Sequence, residues 1–240
     1  MVVRRGTLNI AHRGASGTFP ENTLSAFRAA IAAGADMCEL DVQRTRDGAI
    51  VVIHDDTVDR TTDGRGRVAD LTLDELRRLD AAAKFKGTVR GEPIPTLDEV
   101  FETARGKMGI NVELKAADVE RDVSRIMRAH DALGGSMVSS FNWKALHRMR
   151  EVDPAIRVGV LAERGATKMI DGAVAMGAFA VNPRHDMVDT ALCRSAHERG
   201  LQVLVWTVDE PDQMRKLIAD GVDGIMTNYP ERLRVVLAGC

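Results

Sequence analysis

The chain has 240 residues, of which 45% are hydrophobic and 28% charged, with a formal net charge of -2. That is enough apolar material for a sizeable core, and the length suits one α/β barrel. Lys and Arg alternate with acids rather than clustering, which argues against a surface built to track nucleic-acid phosphates. No apolar run is long enough to span a bilayer, so no integral membrane association is expected. Cys38, Cys193 and Cys240 are odd in number and widely spaced, which makes neither a disulfide framework nor a zinc pattern. Residues 1–10 lack the apolar core of a secretion signal, and a reducing cytoplasm is the expected setting.

In chain order, short apolar strands are predicted at 7–11, 36–42, 108–114, 136–140, 157–161, 178–181, 202–205 and 223–226. Helix-period stretches lie between most of them, including 23–33, 119–130 and 214–218. Strand-then-helix alternation argues a parallel sheet with right-handed crossovers, and eight such units suggest a closed (β/α)₈ TIM barrel. An open doubly wound sheet is the runner-up, but the Gly-rich turn expected after its first strand is missing. The repeat breaks once, over residues 44–105. There Asp47-Gly48 signals a turn into the apolar run 50–53, a return of the second strand. Two capping boxes follow, Thr72 with Glu75 and Thr96 with Glu99. The reading is a small insertion after the second strand, an inserted subdomain at about residues 55–93 in an otherwise single domain.

Polar residues interrupt the apolar strands at particular places. Glu39 and Asp41 stand two apart at the end of the second strand, so both share one face. Glu113 and Lys115 repeat the pattern on the third. His12 ends the first strand and His54 ends the return strand. The carboxyl ends of barrel strands converge at one mouth. Three carboxylates, two imidazoles and the cations Arg13 and Lys115 are therefore expected in one pocket. Three carboxylates need a counter-ion, and hard oxygen ligands suit Mg²⁺ or Ca²⁺ better than zinc. Two histidines beside them suit acid–base work near neutral pH. The other four histidines, His130, His147, His185 and His197, are read as packed, solvated or peripheral. Glu21 and Asn22 precede a helix whose cap is Asn22 or Thr23, and both can support the ligands from behind. Trp206 closes the seventh strand, where it can wall the pocket and stack on a cationic headgroup.

Taken in order, Ala11-His12-Arg13-Gly14, Pro20-Glu21-Asn22-Thr23, Glu39-Leu40-Asp41-Val42, Thr45-Arg46-Asp47-Gly48, His54-Asp55, Glu113-Leu114-Lys115, Trp206-Thr207-Val208 and Gly221-Val222-Asp223-Gly224-Ile225 resemble the glycerophosphodiester phosphodiesterase family. The resemblance covers nearly the whole chain. It implies a TIM barrel with an insertion after the second strand and one divalent cation on Glu39, Asp41 and Glu113. It also implies His12 and His54 as base and acid, with Arg13 and Lys115 on the phosphate of a small glycerophosphodiester. The products would be glycerol 3-phosphate and an alcohol such as choline or ethanolamine. Two positions depart from the family pattern: Asp209 stands where Asn is expected and Asn228 where Asp is expected. Both are placed outside the catalytic set, with a bearing on the substrate side only. A lysophospholipase D-like phosphodiesterase and a non-catalytic phosphodiester-binding barrel are the alternatives, and the oligomeric state, a homo-oligomer included, stays open.

Overall fold

β1 (Leu8–His12) leads through α1 (Leu24–Ala32) to β2 (Met37–Arg44), whose far end folds back as β3 (Ile50–Val52). This computed structural model describes residues 6–239, so residues 1–5 of the stretch read as lacking a secretion signal, and Cys240, lie outside the described residues. After β3 come α2 (Leu73–Leu76), α3 (Leu97–Ala104) and β4 (Gly109–Leu114). The chain then alternates regularly through α4 (Glu120–Ala129), β5 (Met137–Ser140), α5 (Trp143–Val152), β6 (Val158–Ala162), α6 (Ala166–Met176), β7 (Ala180–Pro183), α7 (Thr190–His197), β8 (Gln202–Val205), α8 (Pro211–Asp220), β9 (Gly224–Thr227) and α9 (Pro230–Ala238).

Eight parallel strands close on themselves. β1 pairs with β2 on one side and β9 on the other, with the rest in order between them. The fold is the expected TIM barrel. Its strands are buried on both faces, and the period of two divides their side chains between two cores. Inward, Ile10, Met137, Ala180, Leu204 and Met226 fill the barrel. Outward, residues such as Leu40, Val112, Val138, Val160 and Val203 meet the helices. α3 shows how a helix joins that outer layer. Leu97, Val100, Phe101 and Ala104 are buried at i, i+3, i+4 and i+7. Burial of each large apolar side chain there stabilises by about 1.5–3 kcal/mol. The Thr96 hydroxyl accepts from the Glu99 amide at 3.3 Å while Glu99 reaches back to the Thr96 amide at 2.9 Å, so the helix starts where the sequence places it.

Two features position the mouth. β3 runs antiparallel to the end of β2, over Val42–Arg44, beyond the point where β1 stops pairing. Above it, Val51, Ile53, Val58, Val68, Leu76 and Ile94 make a separate small core under the segment between β3 and α3. The second feature is the turn after β1. Arg13 and Gly14 both adopt positive φ, and a Cβ on Gly14 would lie 2.6 Å from the Cβ of Ala26 and 2.7 Å from its carbonyl carbon. Only glycine lets the loop pass this close beneath α1.

Candidate active site

Register builds the site. Across β1, β2 and β4, His12, Glu39 and Asn111 are paired in one row; two residues further along, Asp41, Glu113 and Ser139 form the next. Side-chain direction repeats every two residues, so both rows face the barrel interior, and a slip of one residue would turn both outward. The result is a cavity of about 240 Å³ at the carboxyl ends of the strands, lined among others by His12, Arg13, Glu39, His54, Glu113, Lys115, Phe141 and Trp206. The structure thus brings both histidines, both cations and Trp206 to one pocket. Asp41 lies just behind the wall, 1% exposed.

The three carboxylates are crowded. One oxygen from each of Glu39, Asp41 and Glu113 lies within 4.8 Å of the others. Burial first, then Asp41 and Glu113, push Glu39 well above the usual carboxylate range. Burial and Asp41 likewise raise Glu113 to about 7, although Lys115 pulls the other way. Two cations answer them in part. Lys115 Nζ lies 2.7 Å from Glu113 and 3.5 Å from Asp41. Arg13 Nε lies 3.4 Å from Asp41, and its backbone N–H donates to Glu39 at 3.1 Å. The donors are all hard oxygens in a charge-dense, nearly dry place, which is what a divalent cation of the Mg²⁺ or Ca²⁺ kind fits.

The loop before α1 sits behind this cluster. Asn22, buried and at φ 58, donates from Nδ2 to Asp41 Oδ2 at 2.9 Å. Thr23, not Asn22, caps α1 by accepting from the Ala26 amide, which leaves the Asn22 amide for Asp41. Glu21 lies outside the cavity wall and accepts from Arg13 at 2.8 Å and from both terminal nitrogens of Arg60. Arg60, from the segment after β3, also reaches Asp55 at 2.6 Å and so ties that segment to the first loop.

The two histidines have different partners. His54 Nδ1 lies 2.6 Å from the Asp55 carboxylate. Burial alone would raise Asp55, but the hydrogen bonds from Arg60 and His54 outweigh it and hold its pKa at about 2. His12 Nδ1 lies 2.7 Å from the amide oxygen of Asn228, and its Nε2 is 3.9 Å from Glu39. Burial, and next the Arg13 guanidinium, push the His12 imidazole down to about 4, so it is neutral at neutral pH. Asp55 can carry the counter-charge of a protonated His54, whereas Asn228 offers His12 only a dipole.

Asp209 and Asn228, expected to bear on the substrate side only, lie instead in a chain against His12. Asn228 touches His12, and Asp209 accepts from the Asn228 side chain at 2.7 Å. Both follow barrel strands, and that position was the available signal. Sequence reasoning also passed over Asn111, Ser139, Phe141 and Glu163, which line the cavity. Asn111 stands two before Glu113, so the same alternation that found Glu113 points to it. Phe141 follows β5 and meets Trp206 edge-on at 5.4 Å, while the Trp206 indole N–H is spent on the Asn182 carbonyl at 2.7 Å. His185 lies in a short turn after β7 and pairs with Gln213 at 2.7 Å.

Carboxylates, imidazoles and cations at the carboxyl end of a TIM barrel suit acid–base chemistry on an anionic substrate. Comparison with known proteins makes the class specific. The sequence profile of the glycerophosphoryl diester phosphodiesterase family matches residues 12–232. A glycerophosphodiester phosphodiesterase of Caldanaerobacter subterraneus subsp. tengcongensis is 40% identical over 233 residues, covering 95% of this chain and 96% of its own. The crystal structure of such an enzyme from Agrobacterium tumefaciens superposes with a TM-score of 0.88 at 29% identity, covering 95% of this chain and 99% of the other. That of an Oleispira antarctica phosphodiesterase, in complex with the product sn-glycerol-3-phosphate, superposes with a TM-score of 0.87 at 29% identity over 95% and 96%. The chain belongs to the glycerophosphoryl diester phosphodiesterase family, and its chemistry is phosphodiester hydrolysis.

Among the described residues, no helix is long and apolar enough to cross a membrane.

Proposed function

We propose that the protein hydrolyses small glycerophosphodiesters to glycerol 3-phosphate and an alcohol, with a divalent cation on Glu39, Asp41 and Glu113 and with His12 and His54 as base and acid. The reading rests above all on the three carboxylates crowded within 4.8 Å in a cavity that both histidines line. The product bound in the Oleispira relative supports the same substrate class. When bound, the cation supplies positive charge for the phosphate oxygens as negative charge develops on them. Arg13 and Lys115, already beside the cluster, add fixed charge there. His12, neutral and with Nε2 toward the cluster, takes a proton from the nucleophile, which is water, or the glycerol 2-hydroxyl on a route whose cyclic phosphate water then opens to glycerol 3-phosphate. The new P–O bond forms as the bond to the alcohol breaks. His54, backed by Asp55, gives its proton to the departing alkoxide. Trp206 and Phe141 wall the alcohol's end of the cavity. Residues 55–93 form an insertion within this single domain that carries Asp55 and Arg60 to the site.

Two measurements test the reading. Incubation with glycerophosphocholine should release free choline and glycerol 3-phosphate in equal amounts; choline phosphate with glycerol would show that the wrong bond breaks. The second is thermal stability with and without Mg²⁺ or Ca²⁺. Without a cation, Glu113 in the folded protein holds a proton up to about 7, against an ordinary value of 4.5, and Glu39 is shifted the same way. The unfolded chain releases those protons earlier, so their contribution to stability falls as pH rises through that window. A cation displaces the same protons, so the rise in Tm it causes should grow from the lower to the upper end of the window. A cation effect that is absent, or independent of pH, would count against this site.

A further inference from the structure

We propose that Asp209 and Asn228 are positioning residues that fix the tautomer of His12, placing its proton on Nδ1 and its lone pair on Nε2. Asp209 anchors the arrangement, because an ionised carboxylate can only accept hydrogen bonds. One oxygen, Oδ1, accepts the backbone N–H of Asn228 at 2.9 Å and the hydroxyl of Thr227 at 3.1 Å. The Thr227 hydroxyl oxygen in turn accepts the Tyr229 amide at 3.1 Å, so its proton is directed to Asp209. The other oxygen, Oδ2, faces the side-chain amide of Asn228 at 2.7 Å. That close partner must be the NH₂ group; the reverse orientation would set two acceptors against each other. The amide is thereby oriented, and its oxygen points at His12 Nδ1, 2.7 Å away. An oxygen acceptor there requires Nδ1 to carry the hydrogen. Nε2, on the side of Glu39, is left with the lone pair. The Ser16 hydroxyl, 2.8 Å from the Asn228 oxygen and 2.7 Å from the His12 carbonyl, has one proton for the two and sets neither orientation by itself. The sense of the whole chain is set by the charge at its far end, one residue removed from the imidazole.

The relay predicts that the two residues can be exchanged only as a pair. With Asn at 209 and Asp at 228, the amide would donate to the carboxylate and the carboxylate would accept from Nδ1. The tautomer is the same. Either single exchange is different. In Asp209→Asn the backbone amide and the Thr227 hydroxyl still need an acceptor, so the new oxygen stays there and the new NH₂ faces residue 228. Asn228 must then turn its oxygen to 209 and its NH₂ to His12. Nδ1 becomes an acceptor and the proton moves to Nε2.

The kinetic consequence rests on the reading of His12 as base, but the tautomer does not. It can be read directly from two-bond ¹⁵N–¹H correlations in the labelled protein, at a pH well above the ordinary histidine range. His12 is assigned by the loss of its signals in His12→Ala. The wild type should show the Nδ1–H form, Asp209→Asn should shift toward Nε2–H, and Asp209→Asn/Asn228→Asp should return to Nδ1–H. The rate kcat should fall by roughly 10²-fold or more in the single variant, as a mis-set tautomer does in other hydrolases, and recover in the double. An Nε2–H tautomer in the wild type overturns the proposal whatever the variants do. So does an Nδ1–H tautomer in Asp209→Asn, or a folded double variant left in the single variant's form. Tautomers that shift as expected with rates that do not would uphold the relay and instead refute His12 as the base.

Discussion

His54→Ala should lower kcat on glycerophosphocholine by roughly 10²–10⁴-fold, the usual contribution of a general acid or base. The loss should shrink sharply with a p-nitrophenyl phosphodiester, because the departing phenolate scarcely needs a proton. His12→Ala should be slow on both substrates, since either one needs a base. The assignment follows from the unequal partners of the two rings. His54 lies 2.6 Å from a carboxylate that can balance an imidazolium, and Arg60 holds that carboxylate in place. His12 faces an amide and, driven by burial and by Arg13, stays neutral down to about 4. The rate on glycerophosphocholine should therefore follow a bell-shaped pH profile that belongs to the pair. Recovery on the activated substrate by His12→Ala would exchange the two roles. Near-normal turnover of glycerophosphocholine by both single variants would refute the mechanism.

The carboxylate cluster carries the second large effect. If the cluster holds the proposed cation, Glu113→Gln should raise the cation concentration needed for half-maximal activity by roughly 100-fold or more, because it removes one of three carboxylate charges. Asn22→Ala should act more weakly, by roughly 10–100-fold, since Asn22 orients Asp41 without joining the cluster. The ordering of the two variants matters more than either figure. An Asn22 effect larger than that of Glu113 would mean that the loop before α1 holds the site together and that the carboxylates do not bind the ion. Cation titrations of activity, with saturating substrate, read both.

Much of this architecture was legible in the order of residues. Each barrel strand starts and ends within two residues of its expected place, because buried parallel strands are short apolar runs closed by turns. The cluster was legible for a related reason: polar residues at alternate positions of an apolar strand have nowhere to point but the interior. Periodicity shows which face a residue takes but not which loop residue lies against it. Arg60 illustrates this. It sits in a turn-rich stretch with no period, and its bonds to Glu21 and Asp55 depend on how the segment over β3 settles on its own small core. Asn228 illustrates it again. Its hydrogen bond to His12 spans 216 positions and closes the barrel between its first strand and its last. α8 was read short, as 214–218, because Pro211 at its first turn is an opening residue that apolar period does not register.

The most direct test of the account is turnover of glycerophosphocholine by enzyme dialysed against EDTA, before and after Mg²⁺ or Ca²⁺ is restored. The dialysed enzyme should release almost no glycerol 3-phosphate, and full release, with equal choline, should follow once the cation returns. Undiminished release from the cation-free enzyme would contradict the proposed cation site, because Glu39, Asp41 and Glu113 would then have some other purpose at the mouth of the barrel.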